Sequence, residues 1–106
     1  MYGRVDGHPA GSVVGVTYAF DRFLRYAELT EWLHATAAAY PHLVTIESDG
    51  QSHQGRDLWL ATITDHATGP HHTKPAHWVD ANIHAIEVTG GVAALHLIHH
   101  LVAGYG

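Results

Sequence analysis

Ala76-His77-Trp78-Val79-Asp80-Ala81-Asn82-Ile83-His84-Ala85-Ile86-Glu87 is the stretch on which the reading of this chain turns. Its first eight residues, Ala76 to Ile83, follow Pro75 and predict a strand. His84 then falls at the C-terminal end of that strand, and Glu87 follows three residues later at the mouth of a helix. Ligands of open α/β sheets gather at the carboxyl ends of strands. A turn after His84 can bring the Glu87 carboxylate beside the imidazole. Imidazole nitrogen and carboxylate oxygen both bind zinc at about 2.0–2.2 Å, and a catalytic zinc takes three protein ligands plus a water. His84 and Glu87 are therefore candidates for two of the three. The pattern H-x-x-E is short, and a chain with 12 His and 10 acidic residues produces it by chance. The competing reading is a polar strand end, with Glu87 placed favourably against a helix dipole.

The segments on either side supply the frame. After Thr89-Gly90-Gly91 a helical period runs from Val92 to Val102, with Leu95, Ile98 and Val102 on one stripe and Gly104 as its stop. Before Pro75 lies a polar loop, Asp65 to Lys74, with Gly69-Pro70 and His71-His72. Leu58 to Thr64 alternates, with Trp59, Ala61 and Ile63 opposite Leu58, Leu60, Thr62 and Thr64. Leu43 to Ser48 alternates as well, with Val44 and Ile46 to one side. Asp49-Gly50 and the loop Gln51–Arg56 join these two strands into an antiparallel hairpin with a long connection. Upstream, Leu29, Trp32, Leu33, Thr36, Ala37 and Tyr40 mark one face of a helix over Ala27 to Tyr40, which Pro41 ends. Residues 1–25 read as a glycine-rich leader whose last part, from Tyr18, docks the start of that helix. Residues 26–106 then form one layered α/β unit in the order α-β-β-β-α.

Composition sets limits on partners. The chain has 106 residues, of which 46% are hydrophobic, enough for one small core. Its formal charge is −5 with neutral histidines, and five Lys and Arg make no basic patch for nucleic acid or a membrane surface. Cys is absent, so a metal site must draw on His, Asp or Glu. No apolar run reaches the ~20 residues of a membrane span. The N-terminus shows no signal-peptide pattern, so a cytoplasmic location is expected.

From about Tyr26 to Val102 the chain resembles the zinc metallocarboxypeptidases of the carboxypeptidase A-like family. The resemblance is carried by Tyr40-Pro41-His42-Leu43-Val44, by Thr45 to Gly50, and by Ser52-His53-Gln54-Gly55-Arg56. It continues through Lys74-Pro75 and Val79 to Asn82-Ile83-His84-Ala85-Ile86-Glu87-Val88, most like bacterial members with the NIHAxEV form. It implies a partial three-layer α/β/α zinc-exopeptidase fold, with His84 and Glu87 as the first two ligands of a Zn2+ cofactor. It also implies a peptide substrate, hydrolysed from its C-terminus. Many members carry Arg between the two ligands where this chain has Ile86, and an aliphatic residue in place of His77 and of Thr89. In the family the second zinc histidine, the carboxylate-binding Arg and Asn, the gating Tyr and the catalytic Glu lie well beyond Glu87. By resemblance the chain reads as an N-terminal, truncated and inactive piece of such an enzyme, and no catalytic residue is assigned.

Two alternatives stand beside this. Aspartoacylase- and desuccinylase-like amidohydrolases also use H-x-x-E, but usually with Gly then Asn between the ligands. A non-catalytic His-rich metal-binding or structural domain is the other. His96 and His100 have the i, i+4 spacing that can pair imidazoles on a metal, but residue 97 is Leu and the H-E-x-x-H motif fails. They are read as an exposed helix face. His71-His72 are read as solvated, His53 receives no role, and Arg56 is read as structural.

Overall fold

The first long helix forms where the period of apolar residues places it. In the computed structural model, which describes residues 12–13 and 16–106, α1 spans Tyr26–Ala39 and buries Trp32, Leu33 and Thr36. Its start is fixed by Glu28, whose carboxylate accepts the Arg25 backbone N–H at 2.9 Å and the Arg22 guanidinium at 2.9 Å. That backbone N–H first, and then Arg22, hold the Glu28 carboxyl below its ordinary pKa. At the other end the Tyr40 N–H reaches Thr36 O at 2.9 Å, and Pro41 stops the helix. The Tyr40 carbonyl then accepts the N–H groups of Leu43 and Val44. This tight reversal delivers the chain straight into the sheet.

Two antiparallel strands follow. They are β3, Val44–Gln51, and β4, Asp57–Ile63, numbered after the two-residue strands β1, Ser12–Val13, and β2, Val16–Thr17. The ladder runs from Val44↔Ile63 to Ser48↔Trp59 and resumes at Gln51↔Asp57. Three steps on β3 therefore face two on β4, which is a bulge. Gly50 takes the left-handed backbone that the bulge requires, with φ +124°. The expected hairpin is thus present and reaches further towards its tip than the alternation suggests. Its inner face carries Val44, Ile46 and Ile63 against Leu43, Ala37, Tyr40 and Val102. A hydrogen bond from Trp59 Nε1–H to Thr30 Oγ1, 2.8 Å, ties β4 to α1.

The second helix, α2, spans Val88–Gly104 and buries Leu95 and Val102. Leu95 packs with Trp32, Leu33 and Tyr18 in the main apolar cluster. Tyr18 belongs to the segment read as a leader. It is buried, its ring stands edge-on to Trp32 at 6.4 Å, and its hydroxyl donates to Arg22 O at 2.7 Å. Residues 18–25 therefore dock on α1, as expected. β1 and β2 pair with each other, Ser12↔Thr17 and Val13↔Val16. The rest of the leader reading, residues 1–11, 14 and 15, lies outside the described residues.

One expected element is corrected. Residues 76–83 do not form a third strand, and among the described residues the sheets are β1–β2 and β3–β4 alone. The elements of 26–106 therefore run α-β-β-α, with two short 3-10 turns, His66–Thr68 and His71–Thr73, between β4 and α2. A strand exists only when a neighbour exchanges N–H and C=O groups with it. No described segment lies beside Ala76–Ile83 in that way, and residues 75–89 are all exposed. The result is a partial α/β arrangement: two helices and one antiparallel hairpin.

Candidate metal centre

The candidate ligands stand on an arm, residues 75–87, that joins the hairpin to α2. Its root is pinned by Lys74. The ammonium donates to Thr64 Oγ1 at 2.7 Å, to Asp65 O at 2.8 Å and to Thr68 Oγ1 at 2.7 Å, which uses all three of its hydrogens. Asp65 closes the same junction from the other side. Its carboxylate accepts the Ala67 N–H at 2.9 Å and the Tyr105 hydroxyl at 2.6 Å. The Tyr105 hydroxyl first, then the Ala67 N–H, hold the Asp65 carboxyl below its ordinary pKa. Tyr105 follows the last residue of α2, so the arm and the helix return to the turn from which they depart.

His84 to Glu87 form a turn closed by the Glu87 N–H on His84 O at 3.0 Å. The Glu87 side chain folds back over it. One carboxylate oxygen, Oε2, accepts the His84 backbone N–H at 3.2 Å, and the other, Oε1, lies 2.8 Å from His84 Nδ1. A carboxylate only accepts, so the tautomer that satisfies this contact carries its proton on Nδ1 and donates it to Oε1. Glu87 is the residue before α2, yet its side chain makes no capping bond to the helix. Its carboxylate is engaged with His84, and from the N-cap position it still stands against the positive end of the helix dipole.

The arrangement fits a divalent zinc in part. Two ligands on one tetrahedral zinc at ~2.1 Å lie roughly 3.4 Å apart. The observed 2.8 Å needs only a small opening of the pair, with the metal taking the place of the shared proton. Both side chains are solvent-accessible, 73% for His84 and 48% for Glu87. Among the described residues no group of three or more His, Cys, Asp or Glu gathers to hold a metal, so the pair would supply two ligands at most. Beside Glu87 an open groove of about 540 Å³ runs between the arm and α2, lined by Val79, Asp80, Ile83, Ala93 and Leu97 among others.

His71 and His72 are exposed, with ring centroids 5.7 Å apart, and His53 is exposed in the hairpin loop. The Arg56 guanidinium lies 5.8 Å from the centroid of the Tyr26 ring, a structural contact between the hairpin loop and α1. His100 is exposed, but His96 is a correction. It is half-buried, with its ring 5.0 Å from Phe20, because the leader folds over that side of α2. His99, which the sequence reading left without comment, is also half-buried, 5.5 Å from Phe20. Burial first, and the neighbouring charges of His96 and His100 after it, lower its pKa.

Asn82 was also missed. It holds a left-handed backbone, φ +64°, and its side-chain amide donates to His84 O at 3.0 Å. In the sequence Asn82 stands only as the first residue of the family-like segment, and Asn tolerates this conformation better than most residues do.

Comparison with known proteins decides the family. The zinc carboxypeptidase family matches residues 29–106. The chain belongs to the zinc carboxypeptidase family. It is 35% identical over 85 residues to carboxypeptidase D of Drosophila melanogaster, covering 76% of this chain and 6% of that protein. It is 31% identical over 80 residues to a zinc carboxypeptidase of Saccharothrix mutabilis subsp. capreolus, covering 76% and 18%. It is 30% identical over 100 residues to carboxypeptidase M of Mus musculus, covering 90% and 22%. The chain thus spans less than a quarter of the length of each of these relatives. Among the described residues no helix is long and apolar enough to cross a membrane.

Proposed function

We propose that His84 and Glu87 are two zinc ligands of a metallocarboxypeptidase that removes C-terminal residues from peptides. The observation that carries this reading is the pairing of Nδ1 and Oε1 at 2.8 Å, on an exposed turn that opens α2, in a chain of this family. A bound zinc supplies Lewis-acid polarisation of a carbonyl and a water of lowered pKa. The protein's part is to hold the two donors. The Glu87 carboxylate is anchored through Oε2 on the His84 backbone, which leaves Oε1 and Nδ1 facing one point. The Lys74 junction fixes where the arm begins, and α2 fixes where it ends. The three-layer α/β/α arrangement belongs to the same proposal, as the frame in which the partial α/β unit stands.

Among the described residues no third His, Cys, Asp or Glu joins the pair to hold a metal. The chain of 106 residues is accordingly proposed to lack peptidase activity by itself, since losing members of a catalytic set costs orders of magnitude in rate. Zinc titration of the purified chain and four variants tests the site. His84→Ala abolishes binding and Glu87→Gln weakens it, while His96→Ala and His100→Ala leave it intact. Removal of binding by the His96 and His100 changes, with His84→Ala silent, would overturn the assignment.

A further inference from the structure

We infer that Asn82 is a positioning residue for the His84–Glu87 pair, an inference that rests on reading those two as metal ligands. Three observations converge on it. Its backbone occupies the left-handed region, φ +64°, so the chain changes direction at Asn82 just before the turn. Its Nδ2–H donates to the His84 carbonyl at 3.0 Å, the same oxygen that accepts the Glu87 N–H at 3.0 Å. A carbonyl oxygen has two lone pairs, and here both are engaged. The third observation is its seat on α2. A Cβ on Gly90 would lie 3.7 Å from Asn82 N, and one on Gly91 would lie 3.4 Å from Asn82 Oδ1. Asn82 therefore lies against the first turn of the helix, at ordinary contact distance from the Cβ positions of residues 90 and 91.

The consequence is a braced turn. His84 is held at its carbonyl by Asn82 and Glu87, at its N–H by the Glu87 carboxylate, and at its ring by the same carboxylate. Asn82 is the one member of this set outside the pair itself, and it ties the turn to α2. Groups that orient metal ligands without touching the metal typically change affinity by roughly 10–100-fold when removed.

A substitution series separates the amide from the backbone. Asn82→Gly keeps the left-handed conformation and removes the amide. Asn82→Asp keeps the size and replaces the donor with an acceptor facing the His84 carbonyl. Asn82→Ala removes the amide and disfavours the backbone. Two readouts are taken on the intact chain: zinc affinity by titration, and the tautomer of His84 in the metal-free protein by nitrogen NMR. The expected result is a loss of zinc affinity of about 10-fold or more for all three variants. Asn82→Gly fails to rescue, and the metal-free His84 ring no longer holds its proton uniquely on Nδ1. Wild-type affinity and an unchanged Nδ1–H tautomer in Asn82→Gly and Asn82→Asp would overturn the inference. Zinc binding that survives His84→Ala would instead refute the ligand reading, and the metal-free tautomer would still decide the role of Asn82.

Discussion

Trp32 and Trp78 are the same side chain in opposite settings: the first is fully enclosed, and the second is 70% exposed. The contrast extends to the regions that hold them. From α1 through β4 each element has a partner. Trp32 and Leu33 meet Tyr18 and Leu95, Val44 meets Val102, and Trp59 is tied to Thr30. The arm from 75 to 87 presents Trp78, Val79, Ile83 and Ile86 to solvent, with Ile86 at 89% exposure. Its order comes from polar contacts, namely Lys74 at its root, Asn82 in its middle and the His84–Glu87 turn at its end. Stability therefore resides in the first region and the candidate chemistry in the second. The two should respond separately to mutation.

The largest expected effect tests that separation directly. Trp32→Ala removes the largest fully buried side chain, and such truncations cost about 3–5 kcal/mol. Trp78→Ala, in the arm, should fall within about 0.5 kcal/mol of the parent, as exposed substitutions usually do. Urea unfolding of both variants is the measurement. Comparable losses from the two would mean that the arm packs in solution, and the contrast would collapse.

A smaller effect lies where the leader covers α2. Burial lowers the pKa of His99 in the folded chain, so the unfolded chain binds its proton more readily. The folded state then binds fewer protons, and stability rises with pH across this window. The contribution is complete above the ordinary histidine value of about 6.5 and is lost as pH falls from there through the lowered folded value. His99→Gln should flatten the acid slope of stability relative to the parent. Equal slopes for the parent and His99→Gln would contradict the assignment.

What was legible in the sequence follows the range of the interactions. The period Leu29, Trp32, Leu33, Thr36 is a local property, and α1 forms where it falls. The alternation in Val44–Ile46 and Trp59–Ile63, with Asp49-Gly50 between, is nearly as local, and it yields the hairpin. Ala76–Ile83 has the residues of a strand, but strand formation is a relation between two segments, and the pattern of one cannot supply the other. The spacing of His84 and Glu87 was readable because one turn suffices to bring them together. Asn82 was not, since a positive φ at Asn leaves no pattern among its neighbours. His96 was misplaced for a third reason: the ring that covers it, Phe20, comes from the far end of the chain.

The smallest effect concerns the junction at which the two regions meet. The Tyr105 hydroxyl donates to Asp65 Oδ2 at 2.6 Å, joining the end of α2 to the turn after β4. The bond acts on both partners: it lowers the Asp65 carboxyl pKa and raises that of the Tyr105 phenol. Tyr105→Phe removes the donor, so the Asp65 carboxyl should titrate closer to its ordinary value, held down only by the Ala67 N–H and the nearby charges of Lys74 and His42. The sign of the stability effect follows. A lowered folded pKa contributes stability that is present above the unfolded carboxyl value of about 3.9 and is lost as pH falls through the folded value. The parent should therefore exceed Tyr105→Phe slightly near neutral pH, and the difference should vanish in strong acid. Because both groups are exposed, the difference should be small and sensitive to salt. Carbon NMR titration of the Asp65 carboxyl in the two proteins is the check. If the Asp65 pKa is the same in both, Tyr105 does not hold the junction, and the arm is anchored by Lys74 alone.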